Sequence, residues 1–148
     1  MKTIEQLEQF MTEPSAMLVE DMKKIDGDIL ILGIAGKMGP TLAKMAKRAA
    51  KEAGIEKRII GVARFSNPEM KEELERAGIE TITCDLLDEA QLAQLPDVKN
   101  VIFMAGNKFG TVNNEHFTWA MNTYVPGRVA DKYKNSNIVV FSSGNIYP

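Results

Sequence analysis

Residues 28–40 read DILILGIAGKMGP, in which three glycines follow a short apolar run and precede Pro40. The apolar run predicts a buried strand over residues 28–32, and Pro40 favours a helix start because its missing N–H would be unpaired there anyway. Glycines at such a junction permit a tight turn, close helix packing and close approach of backbone N–H groups to a phosphate. A plain strand-to-helix turn is the alternative, but the strand–helix–strand setting favours a pyrophosphate loop. Its candidate residues are Gly33, Gly36, Lys37, Met38 and Gly39.

Strands and helices alternate along the chain after this loop. Further strands are predicted over residues 58–63, 79–83, 98–105 and 138–141. Helices are predicted after Pro40, after Asn67-Pro68, over residues 88–95, and from Asn113 or Asn114 to about Tyr133 with Pro126 interrupting it. Strands joined by single helices form a parallel sheet through right-handed crossovers. We therefore expect a doubly wound α/β fold with strand order 3-2-1-4-5 and a ligand above the carboxyl ends of strands one and four.

The helix after Pro40 has one apolar and one basic side. Its predicted sheet-facing stripe is Leu42, Met45, Ala46, Ala49 and Ala53. Its opposite side carries Lys44, Lys47, Arg48 and Lys51, which we expect to be solvated.

The first 27 residues form a separate helical extension in this interpretation, and residues 28–148 form the dinucleotide-binding domain. Thr3 and Gln6 have capping-box spacing ahead of a helix with an apolar stripe, and Pro14-Ser15 begins a second helix that Gly27 ends. Short helices need tertiary contacts for stability. The apolar faces are therefore expected to be buried on this domain or on a partner subunit.

Composition restricts the class of protein. The 148 residues suit one domain, and a net charge of −2 with no basic excess argues against nucleic-acid and anionic-membrane binding. The single cysteine, Cys84, excludes an intramolecular disulfide and fits a reducing cytoplasm. Cys84 is expected to be a buried inert thiol and His116 a surface residue, and no metal site is predicted.

Arg64 follows the second predicted strand, where dinucleotide-binding folds often carry an acid for the ribose hydroxyls. A guanidinium there can bind a 2′-phosphate, which favours NADP over NAD. The alternative is a solvated loop arginine.

Three further pairs end strands at the same predicted edge. Asp85-Leu86 offers a carboxylate for the adenine amino group, although Asp85 would also suit a helix cap. Ala105-Gly106 would let the backbone approach the cofactor, or would be a simple turn. Ser142-Ser143 places hydroxyls at the end of strand five, where serine pairs are also common turn residues.

Together these residues resemble the extended short-chain dehydrogenase/reductase superfamily, in particular its nucleotide-sugar epimerase and dehydratase branch. The resemblance covers residues 28–148 and is carried by the glycine spacing, Asp85-Leu86, Ala105-Gly106, Asn122 in the long helix and the run SSGNIY at 142–147. It implies that Ser143 helps to hold a reacting hydroxyl and that Asn122 supports the cofactor site. Tyr147 matches the family's structural tyrosine.

The sequence also departs from that family. No Tyr-x-x-x-Lys motif is present, because Tyr124 and Tyr133 are followed four residues on by Arg128 and Asn137. Residues 105–109 differ from the usual His-x-Ala-Ala-like run. We therefore expect a chain that binds NAD(P) without catalysis, within an epimerase, dehydratase or reductase that continues beyond Pro148 and acts by hydride transfer on a nucleotide sugar or similar substrate. The alternative is a non-catalytic NAD(P)-sensing module.

Strand five is predicted to lie at an open sheet edge, and its run Ile138, Val139, Val140 and Phe141 is uncharged and β-prone. Such an edge favours pairing with another chain. We expect a homodimer that buries this edge, the helical extension, or both.

Overall fold

The computed structural model describes residues 3–107 and 112–142, and within them five parallel strands form one sheet. The order is β3-β2-β1-β4-β5, as predicted. The strands are β1 (Ile29–Leu32), β2 (Ile59–Ala63), β3 (Glu80–Thr83), β4 (Asn100–Phe103) and β5 (Asn137–Val140). In the central register Ile31 lies between Gly61 of β2 and Ile102 of β4.

The helices connect these strands and cover both faces of the sheet. They are α1 (Ile4–Met11), α2 (Ala16–Lys24), α3 (Gly39–Glu52), α4 (Pro68–Arg76), α5 (Glu89–Gln94), α6 (Glu115–Trp119) and α7 (Val125–Lys132). Alternate residues of β1 point to opposite faces, so Leu30 and Leu32 pack with α5 and α7, while Ile29 and Ile31 pack with α2, α3 and α4. All four β1 residues are buried, which explains the continuous apolar run.

The buried stripe of α3 differs from the predicted one. Ala43 and Ala50 are buried together with Ala46 and Ala49, whereas the larger Leu42 and Met45 remain partly exposed. Alanines allow the helix axis to approach the sheet closely, so the smallest side chains take the inner face. The predicted stripe was therefore correct at Ala46 and Ala49, and Ala53 packs against the core, but the prediction was wrong at Leu42 and Met45.

In the N-terminal extension, the apolar face of α1 is not buried on this domain, and its burial on a partner subunit stays a prediction. The polar side of α1 faces α3: Lys44 pairs with both Glu8 of α1 and Glu73 of α4, and Arg48 donates to the Gln9 carbonyl oxygen at 2.8 Å and to Thr12 Oγ1 at 2.7 Å. The basic side of α3 is thus partly covered rather than wholly solvated. No α1 residue is buried, and Ile4 is 85% and Phe10 63% exposed.

The predicted long helix contains a π-helical turn, Ala120–Tyr124, between α6 and α7. Its wider spacing places the Val125 N–H on the Ala120 carbonyl oxygen. Pro126 follows directly and has no N–H to give to the carbonyl of Asn122, which accounts for the irregularity at the predicted interruption.

Among the described residues, no helix combines the length and apolar character needed to cross a lipid bilayer.

Candidate functional site

Four loops meet where β1, β2, β3 and β4 end, because parallel strands bring their carboxyl ends to one edge of the sheet. These loops contain residues 33–38, 64–67, 84–88 and 104–107. The predicted site residues before Asn122 all lie in them or, like Gly39, directly beside them. The chain order of the strands therefore assembles the candidate site.

Two of the three loop glycines are required by the fold itself. Gly33 has a φ of +87°, and a Cβ there would lie 2.6 Å from the backbone nitrogen of Ala105. A Cβ on Gly39 would overlap the carbonyl oxygen of Ile34. These glycines allow the loop to contact the end of β4 and allow α3 to begin directly under the loop.

Gly36 differs from them, since a Cβ at this position would make only an ordinary 3.4 Å contact with the Gly33 carbonyl oxygen. Gly36, Lys37 and Met38 are exposed and precede the first turn of α3. The protein's own packing therefore leaves the outer side of Gly36 open. A helix N-terminus with an open glycine in front of it can accept a phosphate group through backbone N–H donors.

The loop after β2 presents Arg64 to solvent and turns Phe65 inward. Phe65 has a φ of +47°, unusual for an aromatic residue, and its side chain packs into the core with α3 and α4. The Arg64 side chain is exposed and makes no ion pair or hydrogen bond within the described residues. Sequence reasoning missed Phe65, because nothing in the sequence indicates that an aromatic residue will adopt a left-handed backbone.

In the loop after β3, Asp85 does not cap helix α5, which was one of the two roles predicted for it. Asp88, not Asp85, is the N-cap of α5, and its Oδ1 accepts hydrogen bonds from Ala90 and Gln91. Asp85 Oδ1 accepts the Leu87 N–H at 3.0 Å, while its Oδ2 has no hydrogen-bond partner in residues 3–107 or 112–142. Leu86 is only 8% exposed and packs in the core, which leaves its backbone as the part a ligand could reach.

The loop after β4 is held by Asn122. Its Oδ1 accepts the Asn107 N–H at 2.7 Å, and its Nδ2 donates to the Asn107 carbonyl oxygen at 2.9 Å. A Cβ on Gly106 would lie 3.3 Å from the same Oδ1, so the glycine permits this close contact. Asn107 Nδ2 also donates to Thr118 Oγ1 at 3.0 Å. Asn122 thus positions the loop, and Asn107 and Thr118 are partners that sequence reasoning missed.

The remaining residues singled out in the sequence are Ser142, Ser143, Cys84 and His116. Ser143 lies outside the described residues, whereas Ser142 is described and exposed. Cys84 is buried, and burial, with Asp85 and Asp88 nearby, raises the pKa of its thiol. A raised thiol pKa disfavours the reactive thiolate, which agrees with an inert side chain. His116 is exposed on α6.

A parallel sheet of this order with a glycine loop at its central strand is a Rossmann-like α/β fold. The sequence over residues 29–148 matches the model of the NAD dependent epimerase/dehydratase family. The chain belongs to this family. No curated protein sequence matches it significantly.

The solved structures that are similar to the chain include the following two. The Bordetella bronchiseptica enzyme WbmF, in complex with NAD+ and UDP, matches with a TM-score of 0.60 and 20% identity over 80% of this chain and 36% of WbmF. A short-chain dehydrogenase/reductase superfamily protein from Agrobacterium tumefaciens, with bound NAD, matches with a TM-score of 0.57 and 22% identity over 81% of this chain and 34% of the other. The chain therefore spans about a third of the length of either protein.

Proposed function

We propose that this chain binds a nicotinamide dinucleotide at the carboxyl edge of its sheet. The observation that carries the proposal is Gly36, an exposed glycine that the fold does not require, in front of the N-terminus of α3. A pyrophosphate beside Gly36 would be stabilised by the backbone N–H groups of Lys37 and Met38 and by the positive end of the helix dipole. Membership of the family and the NAD in both similar structures support this ligand.

The adenosine end of the cofactor lies, in this proposal, between the loops after β2 and β3. Arg64 has an uncompensated guanidinium for a 2′-phosphate, and Asp85 Oδ2 is an acceptor for the adenine amino group. The backbone at Leu86, Ala105 and Gly106 borders the ribose and the centre of the cofactor. The arginine makes NADP the preferred cofactor over NAD.

For the whole protein, we propose an NAD(P)-dependent epimerase, dehydratase or reductase of the cytoplasm that acts on a nucleotide sugar or a similar hydroxyl or carbonyl compound. When bound, the nicotinamide supplies hydride transfer. Asn122 keeps the loop after β4 in place beside it, and Ser143 holds the reacting hydroxyl. The 148 residues alone bind the cofactor without turnover, since they contain no Tyr-x-x-x-Lys spacing.

The test of cofactor binding is calorimetric titration of NADP and NAD into the wild-type chain and into Gly36→Ala. The added methyl group makes only ordinary contact within the protein, so the variant should fold with an unchanged melting temperature. It should lose at least tenfold in cofactor affinity because the methyl group occupies the open side of the loop.

The matched control is Gly127→Ala, because a Cβ at Gly127 on α7 meets nothing within 4 Å. This variant should bind like the wild type. Wild-type protein that binds neither dinucleotide, or equal affinity in Gly36→Ala and wild type, would contradict the proposed site.

A second candidate function is a non-catalytic NAD(P)-sensing module, favoured by the absence of a Tyr-x-x-x-Lys motif in residues 1–148. The reading frame after Pro148 distinguishes the two, since a tyrosine and lysine four residues apart would favour an enzyme. Steady hydride transfer by the 148-residue chain with nucleotide sugars would contradict both this module and the inactivity expected above.

A further inference from the structure

A second cleft lies at the opposite edge of the sheet from the candidate cofactor site. It has a volume of about 840 Å³ and is bordered by the C-terminal ends of α3 and α4 and by the amino ends of β1 and β2. Its volume falls in the range of small-molecule sites. Ala50, Ile55 and Ala77 give it an apolar wall.

The charged side chains around this cleft are mostly basic. Two acids, Asp28 and Glu56, line it together with six cations: Lys47, Arg48, Lys51, Lys57, Arg58 and Arg76. The ends of α3 and α4 each add about half a negative charge, which leaves an excess of roughly three positive charges. The chain as a whole has a net charge of −2, so this excess is local.

Five of these cations have no carboxylate within 4 Å among the described residues, the exception being Arg58, which pairs with Glu80 and Asp28. Four further described cations also lack such a partner, at positions 37, 64, 71 and 134. The other lysines and arginines of the described residues are in ion pairs. Unpaired positive charge is therefore concentrated at this cleft.

Several of these five cations form hydrogen bonds to uncharged oxygen atoms rather than ion pairs. Lys57 is only 8% exposed, and its Nζ donates to the carbonyl oxygens of Ile25 at 2.7 Å and Gly27 at 2.5 Å. Arg48 is held by the Gln9 carbonyl oxygen and Thr12, and Arg76 Nε donates to the Glu72 carbonyl oxygen. Carbonyl and hydroxyl groups hold these side chains in place without neutralising their charge. The positive potential of the cleft is therefore preorganised.

We propose that this cleft binds a small, multiply charged anion bearing phosphate groups, separately from the dinucleotide at the other edge. The cations come from α3, the loop before β2 and α4, so they converge on a compact ligand rather than following an extended chain. Lys51 and Arg76 are exposed at the rim and are free to contact its phosphates. This site does not depend on the proposed function.

The test titrates sodium tripolyphosphate into the 148-residue chain by calorimetry at about 50 mM salt, where screening of exposed charges is modest. The variant Lys51→Gln with Arg76→Gln should lose about tenfold or more in affinity, since each removed cation takes away a charge-assisted hydrogen bond. Amide NMR signals of Ile55 and Gly78 should shift on titration. Both substitutions are at exposed positions, and thermal unfolding checks that the variant is folded.

The matched control is Lys71→Gln with Lys134→Gln, which removes two unpaired cations that do not line the cleft and that belong to no proposed site. It should change tripolyphosphate affinity less than twofold, whereas the cleft variant should keep its NADP affinity. No binding by the wild type, equal losses in the two double variants, or NMR shifts confined to the glycine loop would overturn the proposal. Because NADP is titrated separately, failure here is distinguishable from failure of cofactor binding.

Discussion

Arg64 is the residue on which cofactor selectivity should depend. Its guanidinium is exposed at the end of β2 and is not neutralised by any described carboxylate. Replacing it in Arg64→Ala should weaken NADP binding by about 10- to 100-fold, the effect of losing one charge-assisted contact. NAD affinity should change little, because only the 2′-phosphate requires the guanidinium.

Calorimetry with both cofactors checks this, and Lys134→Ala, which removes an exposed cation after α7, serves as the control. Equal affinities for NADP and NAD in the unmutated chain would show that Arg64 does not select the cofactor.

Asn122 acts on the site through the Asn107 backbone. The variant Asn122→Ala leaves one N–H and one carbonyl group without these partners, so the free energy of unfolding should fall by about 1 kcal/mol. Cofactor affinity should also fall because the loop after β4 is no longer fixed. Urea unfolding measures the first effect, and Thr123→Ala, at the adjacent exposed position, is the control. Unchanged stability together with unchanged affinity would refute the positioning role.

At the scale of an element, the N-cap of α5 makes the stability of the folded protein depend on pH in the acid range. Hydrogen bonds from the Gln91 and Ala90 backbone lower the pKa of Asp88 from its ordinary 3.8. Because the pKa of Asp88 is lower in the folded state, the stabilisation given by its carboxylate is complete at pH values above 3.8. This stabilisation is lost as the pH falls below that value. Asp88→Asn caps a helix about as well but does not ionise. The variant should match wild-type stability at neutral pH and lose less of it in acid.

Urea unfolding at neutral and at strongly acidic pH measures this difference. Asp97→Asn is the control, since Asp97 is an exposed carboxylate that is not a helix cap. Some pH dependence should remain in Asp88→Asn, because the pKa values of Asp26 and Glu89 are also lowered, mainly by hydrogen bonds from Lys99 and Tyr124. A wild-type pH dependence in Asp88→Asn would rule out this cap as a contributor.

Amphipathic patterns in the sequence predicted where helices form, but they did not predict which side of every helix would pack against the rest of the protein. The Thr3 and Ser15 caps are present as the sequence indicated, with Gln6 and Leu18 N–H groups as donors. The orientation of α1 depends on Lys44 and Arg48, which come from a distant segment and attract its polar side. Likewise, local sequence could not distinguish Asp85 from Asp88 as the cap of α5. The orientation of α1 and the choice of the α5 cap depend on tertiary contacts. The spacing of apolar residues in the sequence carries no information about those contacts.

For the whole molecule, the strand order followed from chain alternation because crossover handedness leaves few topologies. The glycine loop was predictable because its three glycines lie close together in the sequence, and a separate physical reason for glycine applies to each position. The contacts of Asn107 with Thr118 and Asn122 were not predictable, because they join segments that only the finished fold brings together. Ser143 lies outside the described residues, so its role stays a prediction.

Two exposed apolar surfaces predict self-association. One is the outer side of α1 with Ile4 and Phe10, and the other is β5 at the sheet edge, where Val139 and Val140 are more than half exposed. We expect a dimer in light scattering, because uncovered apolar side chains and strand-edge N–H groups favour pairing. The dimer should dissociate to a monomer in the variant that disrupts its interface. That variant is Ile4→Glu with Phe10→Glu for the α1 surface, or Val139→Lys for the β5 edge.

Val112→Glu is the control, since Val112 is an equally exposed apolar residue outside both surfaces. A wild-type chain that stays monomeric at high concentration, with slow amide exchange in β5, would show that the chain protects this edge by itself.

The glycine loop is already ordered by its own backbone. The N–H groups of Gly33 and Ile34 both donate to the Val62 carbonyl oxygen, and those of Gly36 and Gly39 donate to carbonyl oxygens three residues earlier. The loop therefore has little conformational entropy left to lose when a ligand arrives. Association at this edge should be fast, and differences in affinity between ligands should arise mainly in their residence times.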